Sequence, residues 1–168
     1  MRTLVVYYSN SGNTKAVAEA LADRLGADIE EIREQEPRPL LQVTEGDEKP
    51  EGSALMKAAI RAWLGLGSRI EETGHDPSGY DLVVVGSPTW VGRLVPAVRS
   101  YLKKHRAHMK QVAFFCTGGE PEKSRALRQM EGVAHVAAVA KMVVSADDIR
   151  AGTHDRHVSA FARKLVST

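Results

Sequence analysis

Short apolar runs alternate with segments of helical periodicity along the whole chain, and this alternation limits the possible folds more than any other feature of the sequence. Repeated strand–helix units of this kind are typical of a parallel sheet covered by helices. The first run, Thr3 to Tyr8, is continuous and rich in β-branched and aromatic residues, as expected for a strand buried on both faces. We count five such units within 168 residues and predict one α/β domain over residues 1–168.

The same pattern places the individual elements. Val17, Leu21 and Leu25 recur at helical spacing, so a first helix is predicted over residues 13–25, with Gly26 as its C-cap. Further strands are predicted over residues 27–33, 80–86, 112–116 and 136–144. Further helices are predicted from Ser53, from Val95, near Pro121 and around Val158 to Leu165. Residues 34–52 are rich in proline, glycine and charge, which favours a long loop.

Composition excludes several classes of protein and partner. A single cysteine cannot form an internal disulfide, which agrees with a reducing compartment and excludes a metal cluster held by cysteines alone. A net charge of +2, with basic and acidic residues interleaved, offers no basic stripe for nucleic acid. The first apolar run ends at Ser9, too early for a signal peptide or a membrane span. We therefore expect a cytoplasmic protein with neither nucleic acid nor a membrane as partner.

Three loops leave the carboxyl ends of predicted strands, where ligands bind in open parallel sheets. The first contains only small polar residues: Ser9, Asn10, Ser11, Gly12, Asn13 and Thr14. Its hydroxyl and backbone N–H groups, at the positive end of the following helix, predict a cradle for a phosphate group. The spacing is that of neither a P-loop nor a dinucleotide-binding loop. The alternative is that these residues only cap the helix.

The second loop, Gly86 to Gly92, carries Trp90, and the third contains Thr117, Gly118 and Gly119. An indole at a loop tip needs a covering surface, and stacking on a flat ring cofactor would contribute about 0.5–1.5 kcal/mol beyond area burial. The alternative is that Trp90 packs over the end of the sheet. Trp63 lies on the apolar face of a predicted helix, so core packing is the expected role there.

Two of these motifs resemble those of flavodoxins. Tyr8 to Thr14 is similar to the phosphate-binding signature Thr/Ser-x-Thr/Ser-Gly-x-Thr, and Gly86 to Gly92 is similar to the Gly-x-Pro-x-Trp pattern that approaches the flavin ring. The resemblance implies a flavodoxin-like, doubly wound, five-stranded parallel sheet of order 2-1-3-4-5 with helices on both faces. It implies FMN as cofactor, with the first loop on the phosphate. The ring contacts it implies are Pro88, Thr89, Trp90, Val91 and Gly92, together with Thr117, Gly118 and Gly119.

The sequence departs from the pattern of a dedicated electron carrier in two respects. Residues 117–124 contain no aromatic, so one ring face is expected to be open to a nicotinamide or a quinone. Arg93 follows the second loop, and no acid lies between Ser87 and Val95, which predicts a less negative two-electron potential. Two redox functions therefore remain open: electron transfer with a partner protein, and reduction of a quinone or other small molecule by NAD(P)H. A third alternative is a non-catalytic interaction module that binds no flavin.

The remaining candidate residues are expected to be structural. Cys116, at the end of a strand, is predicted to be a small buried residue rather than a reactive thiol. The histidines lack the spacing of a metal-ligand set, and surface positions are predicted for His105, His108, His154 and His157. Residues 34–80 depart most from a minimal repeat and are the expected location of an acceptor-specific or subunit-contact surface.

Overall fold

The computed structural model describes residues 1–35, 67–90 and 92–167. The strands are β1 (Thr3–Tyr7), β2 (Asp28–Glu31), β3 (Leu82–Trp90), β4 (Arg93–Leu94), β5 (Val112–Gly118) and β6 (Ala140–Ser145). The α-helices are α1 (Asn13–Leu25), α2 (Pro96–His105), α3 (Ala126–Ala134), α4 (Ala146–Arg150) and α5 (Asp155–Val166). Short 3-10 helices occur at Pro77–Gly79, Arg106–His108 and Pro121–Lys123. Within these described ranges, no helix is long and apolar enough to cross a membrane.

The sheet is parallel and follows the order β2-β1-β3-β5-β6, with the two-residue β4 paired antiparallel to β3. Without β4, this is the predicted order 2-1-3-4-5, which is thereby confirmed. Strand β1 lies between β2 and β3, so the chain runs from β1 to β2 on one side and then crosses back past β1 to β3 on the other. The point where the order reverses therefore lies at the carboxyl ends of β1 and β3, where such sheets bind ligands.

Helices cover both faces of the sheet, as predicted. On one face, buried side chains of α1 and α5 pack on alternate residues of β1, such as Val5 and Tyr7. On the other face, α2 and α3 pack against Leu4, Val6 and the aromatic ring of Phe114. Because both faces are covered, the inner strands are apolar at successive positions rather than at alternate ones.

Most predicted elements are present, and some of them differ in their limits. Helix α1 spans the predicted residues and ends at Gly26, whose φ of +57° is the left-handed conformation expected of a C-cap. Strand β6 begins at Ala140 instead of residue 136, because His135 at φ +57° ends α3 and residues 136–139 form an irregular connection. The helix near Pro121 is a 3-10 turn that precedes α3. The helix predicted from Ser53 lies outside the described residues, as does most of the predicted 34–52 loop.

The largest difference concerns β3. It continues from Leu82 to Trp90, four residues past its last pair with β1, Tyr7 with Gly86. Two interactions hold this extension: Ser87 and Pro88 remain paired with β5, and Thr89 and Trp90 pair with β4. The loop predicted over residues 86–92 is therefore wrong in its conformation, because neighbouring strands supply hydrogen bonds that the local sequence does not reveal.

Candidate functional site

The first loop joins β1 to α1 and has the geometry of an anion cradle. Gly12 adopts φ +90° at the N-cap of α1 and makes no side-chain capping bond. The Gly12 N–H donates to Ser9 Oγ at 3.1 Å, and the first helical bond runs from Ala16 N–H to Gly12 O. The N–H groups of the first helical turn therefore have no acceptor within the helix, and that turn contains no acid. The space beside Gly12 is open for at least 4 Å around the position of a Cβ.

The first loop and the third are connected by one buried hydrogen bond. The hydroxyl groups of Thr14 and Thr117 lie 2.8 Å apart, and each residue is 1% exposed. One hydroxyl donates to the other, so the accepting hydroxyl keeps a proton for a further acceptor. The contact brings the start of α1 against the end of β5 across the edge of the sheet. Two of the predicted site segments are thus held together by their own side chains.

The segment around Trp90 is a tight antiparallel hairpin formed by the ends of β3 and β4. Gly92 turns the chain at φ +66°, and its carbonyl oxygen accepts from Arg125 N–H at 2.9 Å and from Ser124 Oγ at 3.2 Å. The Leu94 N–H donates to Gln129 Oε1 at 2.9 Å. These bonds fasten the hairpin to α3 and the turn before it, so Trp90 is presented from a braced strand rather than from a mobile loop tip.

Close packing fixes the relation of the hairpin to β5. A Cβ at Gly118 would overlap the hydroxyl oxygen of Thr89, so a larger residue there would require the Thr89 side chain to move. Further from the hairpin along the same pair of strands, a Cβ at Gly86 would overlap the ring of Phe115. The predicted motifs therefore contain two kinds of glycine. Gly86 and Gly118 lie where a Cβ would meet a packed side chain, and Gly12 and Gly92 have a positive φ.

Trp90 is half-buried and lies against Tyr8, with ring centroids 6.1 Å apart and planes inclined at 77°. The Tyr8 hydroxyl donates to Glu34 Oε2 at 3.0 Å. Sequence reasoning placed Tyr8 in the phosphate motif and did not identify it as the partner of Trp90. The only sequence signal is that Tyr8 is the first residue after β1, at the same edge of the sheet.

Two arginines follow Trp90 in the chain, one in β4 and one in α2. Arg93 is the antiparallel partner of Trp90, so the two side chains lie on the same face of the hairpin. Arg99, in the first turn of α2, is 9% exposed. Burial and the nearby charge of Arg93 lower the pKa of Arg99. Arg99 was missed by sequence reasoning, because it lies in a helix whose other buried residues are mostly apolar and carries no motif.

The structure brings three predicted segments together at the carboxyl edge: the first loop, the end of β3 and the end of β5. Gly119 follows directly and is exposed. Val91 lies outside the described residues. Cys116 is buried as predicted, and burial raises the pKa of its thiol to about 12.

The surface position predicted for His105 is wrong. This residue is the last of α2 and is 8% exposed, with its ring 4.6 Å from that of Tyr101 and its Nε2 3.5 Å from Thr73 Oγ1. Its apolar surroundings follow from the helical phase that also buries Tyr101 and Leu102. His108 is exposed, as predicted.

A parallel sheet with helices on both faces, whose strand order reverses beside β1, defines a doubly wound α/β protein. Residues 2–146 match the family model of Flavodoxin, and the chain belongs to the flavodoxin family. A search of curated protein sequences finds no match.

Solved structures show the same fold. A flavoprotein from Lactobacillus acidophilus, in complex with FMN, is similar at a TM-score of 0.65 and 24% identity, covering 90% of this chain and 96% of that one. The oxidised Flavodoxin 2 of Bacillus cereus is similar at a TM-score of 0.55 and 17% identity, covering 99% of each chain. A flavodoxin from the domain Archaea is similar at 0.53 and 18% identity, covering 98% of this chain and 99% of that one.

Proposed function

We propose that this flavodoxin binds one FMN at the carboxyl edge of its sheet and acts in electron transfer or another flavin-dependent redox reaction. The observation that carries the proposal is the start of α1: a left-handed Gly12, no side-chain cap, no acid in the first turn, and open space beside the loop. Such a helix N-terminus suits the phosphate of a mononucleotide. The FMN complex of the Lactobacillus acidophilus protein, which shares the fold, is consistent with this ligand.

Different parts of the site would bind the phosphate and the ring of FMN. The hydroxyls of Ser9 and Ser11 and the backbone N–H groups of the first loop would hold the phosphate, while Thr14 is held in place by Thr117. The hairpin would set Trp90 beside the ring, and Gly118 leaves room for the Thr89 side chain between the hairpin and β5. FMN supplies the redox chemistry when bound, and the protein contributes binding, orientation and exclusion of water.

The experiment compares FMN with riboflavin, which lacks the phosphate. Ser11→Asp places a negative charge in the cradle at an exposed position, so the fold should be retained. We expect FMN affinity to fall by about tenfold or more through charge repulsion, while riboflavin affinity stays unchanged. Ser78→Asp is the matched control, because it adds the same charge at an exposed site before β3, at the opposite edge of the sheet.

Two results would contradict the proposal. Absence of FMN binding to the purified protein would favour the non-catalytic module. Equal loss of FMN and riboflavin affinity in Ser11→Asp would mean that the loop does not contact the phosphate. Flavin absorbance in the visible range and quenching of flavin fluorescence report both affinities.

A second redox function has its own support. Residues 117–124 contain no aromatic residue, and Trp90 and Tyr8 contact each other on the hairpin side, so a flavin here would have one face without an aromatic cover from β5. This arrangement favours an NAD(P)H-dependent reductase of quinones or other small molecules. Anaerobic mixing of the FMN-loaded protein with NADH and with NADPH tests it. Rapid loss of flavin absorbance supports the reductase, and no reaction supports a carrier that needs a redox partner protein.

A further inference from the structure

We propose that Arg93 and Arg99 bind an oxyanion, a phosphate or a carboxylate, carried by the small molecule that exchanges electrons with the flavin. The inference rests on the proposed function, since it names the kind of reactant that the FMN site admits.

The first observation is that Arg99 is buried and that its Nε–H has no acceptor among the described residues. The residue is 9% exposed, and its buried Nε–H donates no hydrogen bond. Buried polar groups are nearly always hydrogen-bonded, because desolvation without a partner costs free energy. An arginine left in this state indicates a place for an acceptor that the described residues do not supply.

The second observation is that the nearby charge acting on Arg99 is also positive, because it belongs to Arg93. Arg93 is close enough for its charge to lower the pKa of Arg99, and among the described residues neither guanidinium forms an ion pair with an acid. No acid occurs between Ser87 and Val95 in the sequence either. Two adjacent cations without a carboxylate destabilise the empty protein, and an anion between them would reverse that effect.

The third observation is the location of the pair. Arg93 shares a face of the hairpin with Trp90, the residue expected beside the flavin ring. Arg99 lies in the first turn of the ten-residue helix α2, and long helical side chains lean toward the helix N-terminus. That terminus has no side-chain cap, so its positive end adds to the two guanidinium charges. The pair is thus at the hairpin and on the α2 side of it, away from the phosphate cradle at α1.

The chemistry of the pair sets the class of ligand. Guanidinium groups present paired N–H donors that match the oxygens of phosphate and carboxylate. Two reactants carry such groups: a nicotinamide nucleotide, through its phosphates, and a carboxylated electron acceptor. A neutral quinone would gain nothing from the site. The proposal therefore predicts selection for an anionic reactant, whichever direction the electrons take.

The direct test is an NMR titration of the FMN-loaded protein labelled with ¹⁵N-arginine. Inorganic phosphate and acetate are the probes, and the Nε–H resonance of Arg99 is observed. We expect a saturable shift in the natural protein and in Arg128→Gln, which removes an exposed arginine of α3 as a matched control. Arg99→Met, which keeps much of the apolar stem, and Arg93→Gln should weaken phosphate binding, measured by calorimetry, about tenfold or more.

Steady-state kinetics with different reactants then identify which reactant carries the oxyanion. KM is compared for NADPH, for NADH, for a carboxylated quinone and for its neutral analogue. In Arg93→Gln, we expect KM to rise for the anionic reactant that uses the site and to stay constant for the neutral quinone. A rise confined to the nucleotides identifies phosphate, and a rise confined to the carboxylated quinone identifies carboxylate.

Three results would overturn the proposal. One is the absence of a saturable shift at the Arg99 Nε–H. Another is an equal effect of Arg93→Gln and Arg128→Gln, which would indicate net charge alone. The third is a parallel fall of FMN affinity in Arg93→Gln, which would assign the pair to the flavin itself. Failure of the protein to bind FMN is a separate result and contradicts the proposed function, because the titration can also be performed without flavin. If Arg99→Met does not fold, Arg93→Gln carries the test.

Discussion

Replacement of Thr117 by valine tests the buried link between the first loop and β5. Valine keeps nearly the same shape, so the change removes the hydroxyl without opening a cavity. It leaves the Thr14 hydroxyl, 1% exposed, without the partner that lies 2.8 Å away. A buried polar group without a partner costs about 1–3 kcal/mol. We therefore expect Thr117→Val to destabilise the flavin-free protein by about 1–3 kcal/mol, and Thr14→Val to do the same.

The double variant, Thr14→Val with Thr117→Val, is expected to be more stable than either single variant. Removing both hydroxyls leaves no unpaired group, and replacing both partners by apolar groups of the same shape is close to neutral. The two substitutions should therefore not add, and the coupling free energy, which equals the sum of the two single losses when the double variant is near neutral, should be about 2–6 kcal/mol in favour of the double variant. If the Thr14 hydroxyl also donates to the cofactor phosphate, Thr14→Val weakens FMN binding more than Thr117→Val does.

The assay is urea unfolding of the flavin-free natural protein, the two single variants and the double variant. Thr3→Val combined with Thr117→Val is the control, because Thr3 is buried at the opposite end of β1 and the two effects should add. Additive losses in the Thr14 and Thr117 pair, within about 0.5 kcal/mol, would refute the reasoning and show that each hydroxyl has another partner.

Two further predictions concern buried titratable groups. Cys116 should not react with thiol reagents in the native protein, because the residue is buried and burial raises the pKa of its thiol to about 12. Labelling should therefore occur only as the protein unfolds. Rapid labelling of the folded protein would contradict this. Burial lowers the pKa of His105, so the unfolded chain binds its proton more readily, and stability should fall on acidification through the unfolded pKa of about 6.5. His105→Gln should flatten the decrease in urea midpoint between about pH 7.5 and about pH 5.5, and the exposed His108→Gln should not. An equal slope in both variants would exclude His105 as the source. The charged groups that act on its ring are those of Lys104, His108, Asp76 and Glu30.

The elements with a strong local signal were predictable. Helix α1 has the predicted limits, because apolar residues at helical spacing and a C-capping glycine both act within a few residues. The alternation of strands and helices predicted a parallel sheet, and the resemblance to flavodoxins implied its strand order. The first loop was also predicted at the right place, since small polar residues follow a buried strand and precede the first helix; that it binds a phosphate stays a prediction.

The length of β3 and the hairpin with β4 were not predictable from local sequence. Pro88 and Thr89 are typical of a loop, yet both belong to a strand because β5 and β4 supply the pairing. The contact of Trp90 with Tyr8 depends on the same extension. The burial of His105 has a similar origin, since the sheet and its covering segments decide which side of α2 is enclosed.

The sequence by itself determined the repeating units, the order in which they occur and the polar loop that begins α1, because these follow from periodicity and from the φ angles open to glycine. Tertiary structure alone decided that the hydroxyls of residues 14 and 117 meet, and that the charge of Arg93 acts on Arg99 with no acid of the described residues paired to either. Both are distances across space between separate elements. They exist only after the hydrophobic faces of the helices have been packed against the sheet, which is why no pattern along the chain encodes them visibly.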